Sequence, residues 1–146
     1  MKPRCDDPRV ARIVSLFEAL APADLSRLGE YYSPQARFKD PFNEVQGVAA
    51  IQQVFAHMFH ALNEPRFVVR DIVVQGDRCF LEWDFLFGFK RFNDRPQTVC
   101  GGSLLRLDAQ GLIVDHRDYW DAAEELYEKL PVVGALMRWM KQRARR

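Results

Sequence analysis

Between Arg66 and Asp121 the sequence divides into four long runs rich in β-favouring residues, and no other feature restricts the fold as strongly. Arg66 to Gln75 ends at a Gly76-Asp77 hairpin turn. Cys79 to Phe89 ends at a turn through Asn93 to Pro96. Gln97 to Asp108 ends at Ala109-Gln110-Gly111, and Leu112 to Asp121 follows. Consecutive strands joined by tight turns form an antiparallel meander. Helical patterns come before this block, so the class is α+β. With 146 residues, the chain has enough length for one domain with a sizeable core.

The first helix is announced by Asp7-Pro8, a capping carboxylate followed by proline. Val10, Ile13, Val14, Phe17 and Leu20 recur at helical spacing until Ala21-Pro22. A second, short helix is predicted from about Asp24 and is stopped by Ser33-Pro34, because the residue before proline is pushed out of the helical region. Ala36 to Asp40 reads as a short strand. Gly47 opens a third helix whose apolar face includes Ile51, Phe55, Met58 and Leu62. A curved sheet wrapped against three helices leaves a conical cavity, the usual place for a ligand.

Charge and composition narrow the function. A net charge of +1 supplies no basic field for nucleic acid. No apolar run approaches the roughly 20 residues that span a bilayer, and the first residues lack the apolar segment of a signal peptide. Cys5, Cys79 and Cys100 are odd in number and lack metal-ligand spacing, which favours reduced thiols in a cytoplasmic setting. His57 and His60 lie three apart on the third helix, but no carboxylate-rich strand at ligand spacing accompanies them. Neither a metal nor a cofactor is expected.

Two strands carry candidate chemistry. On the last one, Leu112, Val114, His116, Asp118 and Trp120 share a face, which begins apolar and then presents an imidazole and a carboxylate beside an indole. By pattern alone that polar end faces solvent. On the strand from Cys79, the odd positions are apolar up to Phe89, while Glu82, Asp84 and Leu86 lie on the other face. Pattern puts the odd face in the core and Glu82 and Asp84 in water. The alternative puts Glu82 and Asp84 in the cavity and the aromatic row against another subunit, since such a row left in water would be an abnormal patch.

Several stretches together resemble the nuclear transport factor 2-like superfamily. They are Ala23-Asp24-Leu25, Tyr32 to Phe42 (YSPQARFKDPF), Gly47, Arg106 to Ile113 (RLDAQGLI) and His116 to Asp121 (HRDYWD). Within it the chain is similar to the SnoaL-like group, ketosteroid isomerase and limonene epoxide hydrolase. The resemblance implies a single SnoaL-like domain over 1–146, with 122–146 a C-terminal helical extension. It also implies a cone-shaped α+β barrel, three N-terminal helices packed on a curved mixed or antiparallel sheet. A homodimer through the outer sheet face is implied too, with Trp83, Phe85 and Phe87 at the interface, and His116, Asp118 and Trp120 then face the cavity.

Residue by residue, the two chemistries fit incompletely. Asp40 falls where ketosteroid isomerase keeps its general base, but its two oxyanion-hole positions fall on Leu16 and Ser103. Losing one such donor typically costs about 2.7–4 kcal/mol of transition-state stabilisation, which argues against steroid isomerisation. Asp118 and Asp84 match the two carboxylates of limonene epoxide hydrolase. Its bridging Arg falls on Glu82, and its water-orienting Tyr and Asn fall on Phe38 and Asp40. The resemblance thus implies an internal cavity for a small apolar molecule. Asp40, Asp84, His116 and Asp118 would handle protons, and Leu16, Phe38, Phe55, Glu82, Leu86, Ser103 and Trp120 would contact the ligand. An acid–base isomerase, cyclase or hydrolase and a non-catalytic binding domain both remain open. Pro131 to Arg146 reads as an amphipathic basic helix packed on the cavity mouth or a partner rather than on a membrane.

Overall fold

A computed structural model of the chain describes residues 5–89, 96–125, 139–140 and 142–144. Helix α1 spans Pro8–Glu18, and Asp7 caps it by accepting the Arg9 amide at 2.9 Å. Its stripe of Val10, Ile13, Val14 and Phe17 is buried. A 3-10 helix, Pro22–Glu30, takes the place of the second predicted helix. Asp24 caps it from within, its carboxylate accepting the Ala21 amide at 2.8 Å. Strand β1, Tyr32–Lys39, begins four residues ahead of the predicted start, and a three-residue strand β2, Glu44–Gln46, folds back on it. Helix α2, Val48–Ala61, opens at Gly47, whose φ of 95° favours glycine.

Strands β3 (Leu62–Gln75), β4 (Arg78–Phe89), β5 (Pro96–Leu107) and β6 (Ile113–Tyr119) form the expected meander. The Gly76-Asp77 turn joins β3 to β4, with Gly76 at φ 59°. Pro65, just ahead of the predicted strand start at Arg66, lies inside β3. Proline is tolerated there because β3 is an edge strand, and the pairing register shifts between Asn63 and Arg66. The sheet order is β2-β1-β6-β5-β4-β3, with β1 parallel to β6 and every other pair antiparallel. The six-stranded sheet is therefore mixed, and it stays open at β2 and β3 rather than closing into a barrel. Helices α1 and α2 pack on one face. A short helix α3, Ala122–Glu125, follows β6. Of the predicted helix Pro131 to Arg146, most lies outside the described residues. Among the described residues no helix is long and apolar enough to cross a membrane.

The faces of β4 follow the plain alternation pattern and overturn the alternative drawn from the resemblance. Cys79, Leu81, Trp83 and Phe87 are buried toward the helices, whereas Glu82 is exposed. Asp84 pairs with Arg70 at 2.7 Å on the outer face. Leu86 lines an outer groove with Arg66 and Thr98. Trp83, Phe85 and Phe87 therefore cannot form an outer-face interface, and Glu82, Asp84 and Leu86 do not reach the cavity. The physical reason is cost: Glu82 is cheaper to leave in water than to bury, and Asp84 finds its cationic partner, Arg70, on the outer face.

Two adjacent glycines let this arrangement pack. Gly101 pairs with Trp83, and a Cβ there would lie 2.7 Å from the indole. At Gly102 a Cβ would run into the Phe80 ring on the opposite face. The outer face also carries an ion-pair hub. Arg37 Nε donates to Asp115 at 2.8 Å and Arg106 Nη2 donates at 2.5 Å. Burial alone would raise the Asp115 carboxyl, but the two guanidinium hydrogen bonds outweigh it and hold the group below the usual range.

Two outcomes are expected. Gly101→Val should destabilise the fold by roughly 1–3 kcal/mol, because overpacking exceeds the at most ~1 kcal/mol of strand propensity gained. Urea unfolding measures it. Second, burial pushes the Cys79 thiol from 9.0 up to about 11. Its contribution is complete below pH 9.0 and is lost as pH rises through about 11. Cys79→Val, which cannot ionise, should flatten the fall of the urea midpoint over that window.

Candidate active site

His116 is the buried centre of the site. It stands on β6 beside Phe38 of β1 and Leu105 of β5, the strands that flank it. Its ring stacks parallel to Tyr32, with centroids 6.0 Å apart. The edges of Phe38 and Phe17 enclose it at 4.7 and 5.6 Å. Only 5% of its surface is exposed, so both ring nitrogens need protein partners. Nδ1 lies 2.7 Å from the Tyr32 hydroxyl, and Nε2 lies 2.7 Å from Asp118 Oδ1.

Donor accounting fixes the protons along this chain. Tyr32 is fully buried, and among the described residues its hydroxyl has no acceptor besides His116 Nδ1. The phenol therefore donates to Nδ1, which leaves Nε2 as the proton-bearing nitrogen that donates to Asp118. The imidazole in this arrangement is neutral. Burial, and secondarily the charge of Asp118, holds the Tyr32 phenol well above its ordinary value and so keeps it a donor. Asp118 Oδ1 also accepts from Ser103 Oγ at 2.5 Å, and Ser103 in turn accepts from Trp83 Nε1 at 2.9 Å. The run Tyr32–His116–Asp118–Ser103–Trp83 is thus a continuous wire of neutral donors converging on one carboxylate. Both bonds to Asp118 end on Oδ1, so Oδ2 keeps its acceptor capacity.

Asp118 stands where two chambers meet. The inner one, about 20 Å³, is bounded by Ser103, His116 and Asp118 on its polar side and has room for about one water. The larger one, about 240 Å³, opens past Asp40, Phe42 and Trp120. Nine of its eighteen lining residues are aromatic, and Asp40 and Asp118 are its only charged ones among the described residues. Phe42 meets Trp120 edge-on at 5.5 Å. The parallel register Phe38↔His116 and Lys39↔Arg117 runs on toward Asp40 beside Asp118. Asp40 nevertheless serves the turn as well. Its Oδ1 accepts the amides of Phe42 and Asn43 at 2.8 and 2.6 Å.

Of the residues singled out from sequence, Phe38, Asp40, Phe55, Asp118 and Trp120 line the larger chamber, and Ser103 and His116 the inner one. Leu16 is buried in the core and lines neither chamber. Glu82, Asp84 and Leu86 lie on the other face of the sheet. Sequence reasoning missed Tyr32, which it assigned to the second helix. It also missed the bond from Trp83 to Ser103. A buried histidine requires two partners, and that requirement was the available signal for Tyr32.

The architecture recurs in solved structures. A nuclear transport factor 2-like protein of unknown function from Burkholderia pseudomallei K96243 matches with a TM-score of 0.70 at 18% identity, covering 81% of this chain and 94% of that one. A proposed SnoaL-like polyketide cyclase from Jannaschia sp. CCS1 matches at 0.70 and 18%, covering 83% and 93%. AclR, a proposed hydroxylase from Streptomyces galilaeus, matches at 0.68 and 21%, covering 84% of this chain and 97% of that one. At such identities the likeness establishes the fold alone. No curated protein matches the sequence. The SnoaL-like domain family matches residues 13–116, from α1 to the histidine at the centre of the site, and the chain belongs to that family.

Proposed function

We propose that the protein is an acid–base enzyme acting on a small, apolar, one- or two-ring molecule held in the aromatic chamber. Asp118 is the general base and His116 is the partner that fixes and shares its proton. The observation that carries this reading is the Asp118 carboxylate, anchored through Oδ1 by two neutral donors while it lines the cavity. A positioned base of this kind typically contributes ~10²–10⁴ in rate. The chamber, about 240 Å³, falls just below the roughly 300–1,000 Å³ of most ligand sites, which limits the substrate's size. The names of the Jannaschia and Streptomyces neighbours, a cyclase and a hydroxylase, are consistent with small-molecule chemistry in such a cavity.

A second reading, ligand binding without turnover, draws on one observation. No buried side-chain polar atom among the described residues lacks a partner, so the polar chain can be explained by structure alone. A panel of lactones, epoxides and enones separates the two. Turnover of any member, reduced about 10²-fold or more in Asp118→Asn, supports catalysis. Thermal stabilisation by a ligand that is never converted supports binding alone.

The homodimer belongs on the outer face, with different residues from those first named. Val73, Phe80 and Tyr119 are exposed there, 57%, 39% and 47%, and Leu104 lies between Phe80 and Arg117 in register. A contiguous exposed apolar patch on a sheet face is the normal mark of an interaction site. Sedimentation at micromolar concentration should show a dimer, and Phe80→Glu should shift it to monomer while the fold, followed by circular dichroism, is retained.

A further inference from the structure

The chamber's electrostatics point to the charge of its ligand. Its walls are aromatic faces and edges, its charged groups are the carboxylates of Asp40 and Asp118, and no lysine or arginine lines it among the described residues. Asp118 is more buried than a surface carboxylate, with 14% of its side chain exposed, and its partners Ser103 and His116 supply hydrogen bonds but no positive charge. A carboxylate withdrawn from water without a counter-charge is costly. Aromatic rings attract cations through their negative faces, and the attraction grows when water is excluded. Among the described residues, an anionic ligand, whether carboxylate or phosphate, would meet two carboxylates, with His57 the one titratable nitrogen on the lining.

We propose that the natural ligand, otherwise apolar, carries one alkylammonium group, tertiary or quaternary, seated among the aromatic walls and opposite Asp118. The cation supplies the charge that the described residues around this carboxylate do not. The inference rests on the cavity being the ligand site but not on proton transfer, so binding and turnover can fail separately. Phe42 and Trp120, meeting edge-on at the mouth, are the rings such a group passes on entry.

The test is a matched pair of probes, choline and its neutral carbon isostere 3,3-dimethylbutan-1-ol, titrated calorimetrically into the full chain at low ionic strength. The expected result is binding of choline at least 10-fold tighter than the isostere, weakening with added salt. Asp118→Asn should reduce that preference about 10-fold or more. Trp120→Ala, at the cavity mouth and away from the hydrogen-bond chain, should weaken choline more than the isostere. Equal or tighter binding of the isostere, or no binding of choline at millimolar concentration, overturns the proposal. So does a choline preference that survives intact in a folded Asp118→Asn protein. Loss of catalytic turnover in Asp118→Asn with the choline preference absent in the parent would overturn the ammonium assignment while leaving the acid–base reading in place.

Discussion

The indole of Trp83 reaches Ser103 because the residue opposite it, Gly101, has no side chain. Much follows from this close approach. Trp83 donates to Ser103, Ser103 donates to Asp118, and Asp118 receives the proton of His116, whose other nitrogen is held by Tyr32. Every link is a neutral donor bound to a buried or half-buried acceptor. In the low dielectric of the interior such bonds are strong when complete and costly when broken. A methyl group at position 101 would therefore act on the carboxylate through two intervening side chains.

The class, the meander and the starts of α1 and α2 were legible in the sequence, because hydrophobic period and turn residues determine them locally; the end of the second helix was not, since β1 begins at Tyr32 and runs through Ser33-Pro34. Alternation along β4 also predicted its faces correctly. The family likeness suggested the reverse, and it failed at Glu82 and Asp84 because matching a position does not preserve its partner. The arginine that would neutralise those carboxylates inside the cavity is itself replaced by an acid. On β6 the opposite happened. There the likeness correctly turned His116 and Asp118 inward against the plain pattern, because their partners Tyr32 and Ser103 are present. Local pattern could not show this. Tyr32 is 84 residues from His116, and a bond over that distance leaves no local periodicity.

The sheet separates two kinds of chemistry by one residue of offset. On β6, Asp118 and His116 face the aromatic interior, while Asp115 between the arginines faces outward. The charge pairs of Asp115 lie on the watered face, while inside Asp118 is held by hydrogen-bonded neutral groups. The Asp115 hub ties β1, β5 and β6 together from outside while the Tyr32–His116 bond ties β1 to β6 from inside.

That double tie has a kinetic consequence. The β3–β4–β5–β6 meander closes through short turns, whereas β1 joins it in parallel only after the chain has folded across a separation of about eighty residues. Pairings of high contact order form late, since the loop-closure entropy is spent before the contacts repay it. Asp118 and Ser103 meet within the meander, but His116 gains its tautomer-fixing partner only when β1 docks. Recovery of the active-site environment in refolding is therefore expected to follow recovery of the meander.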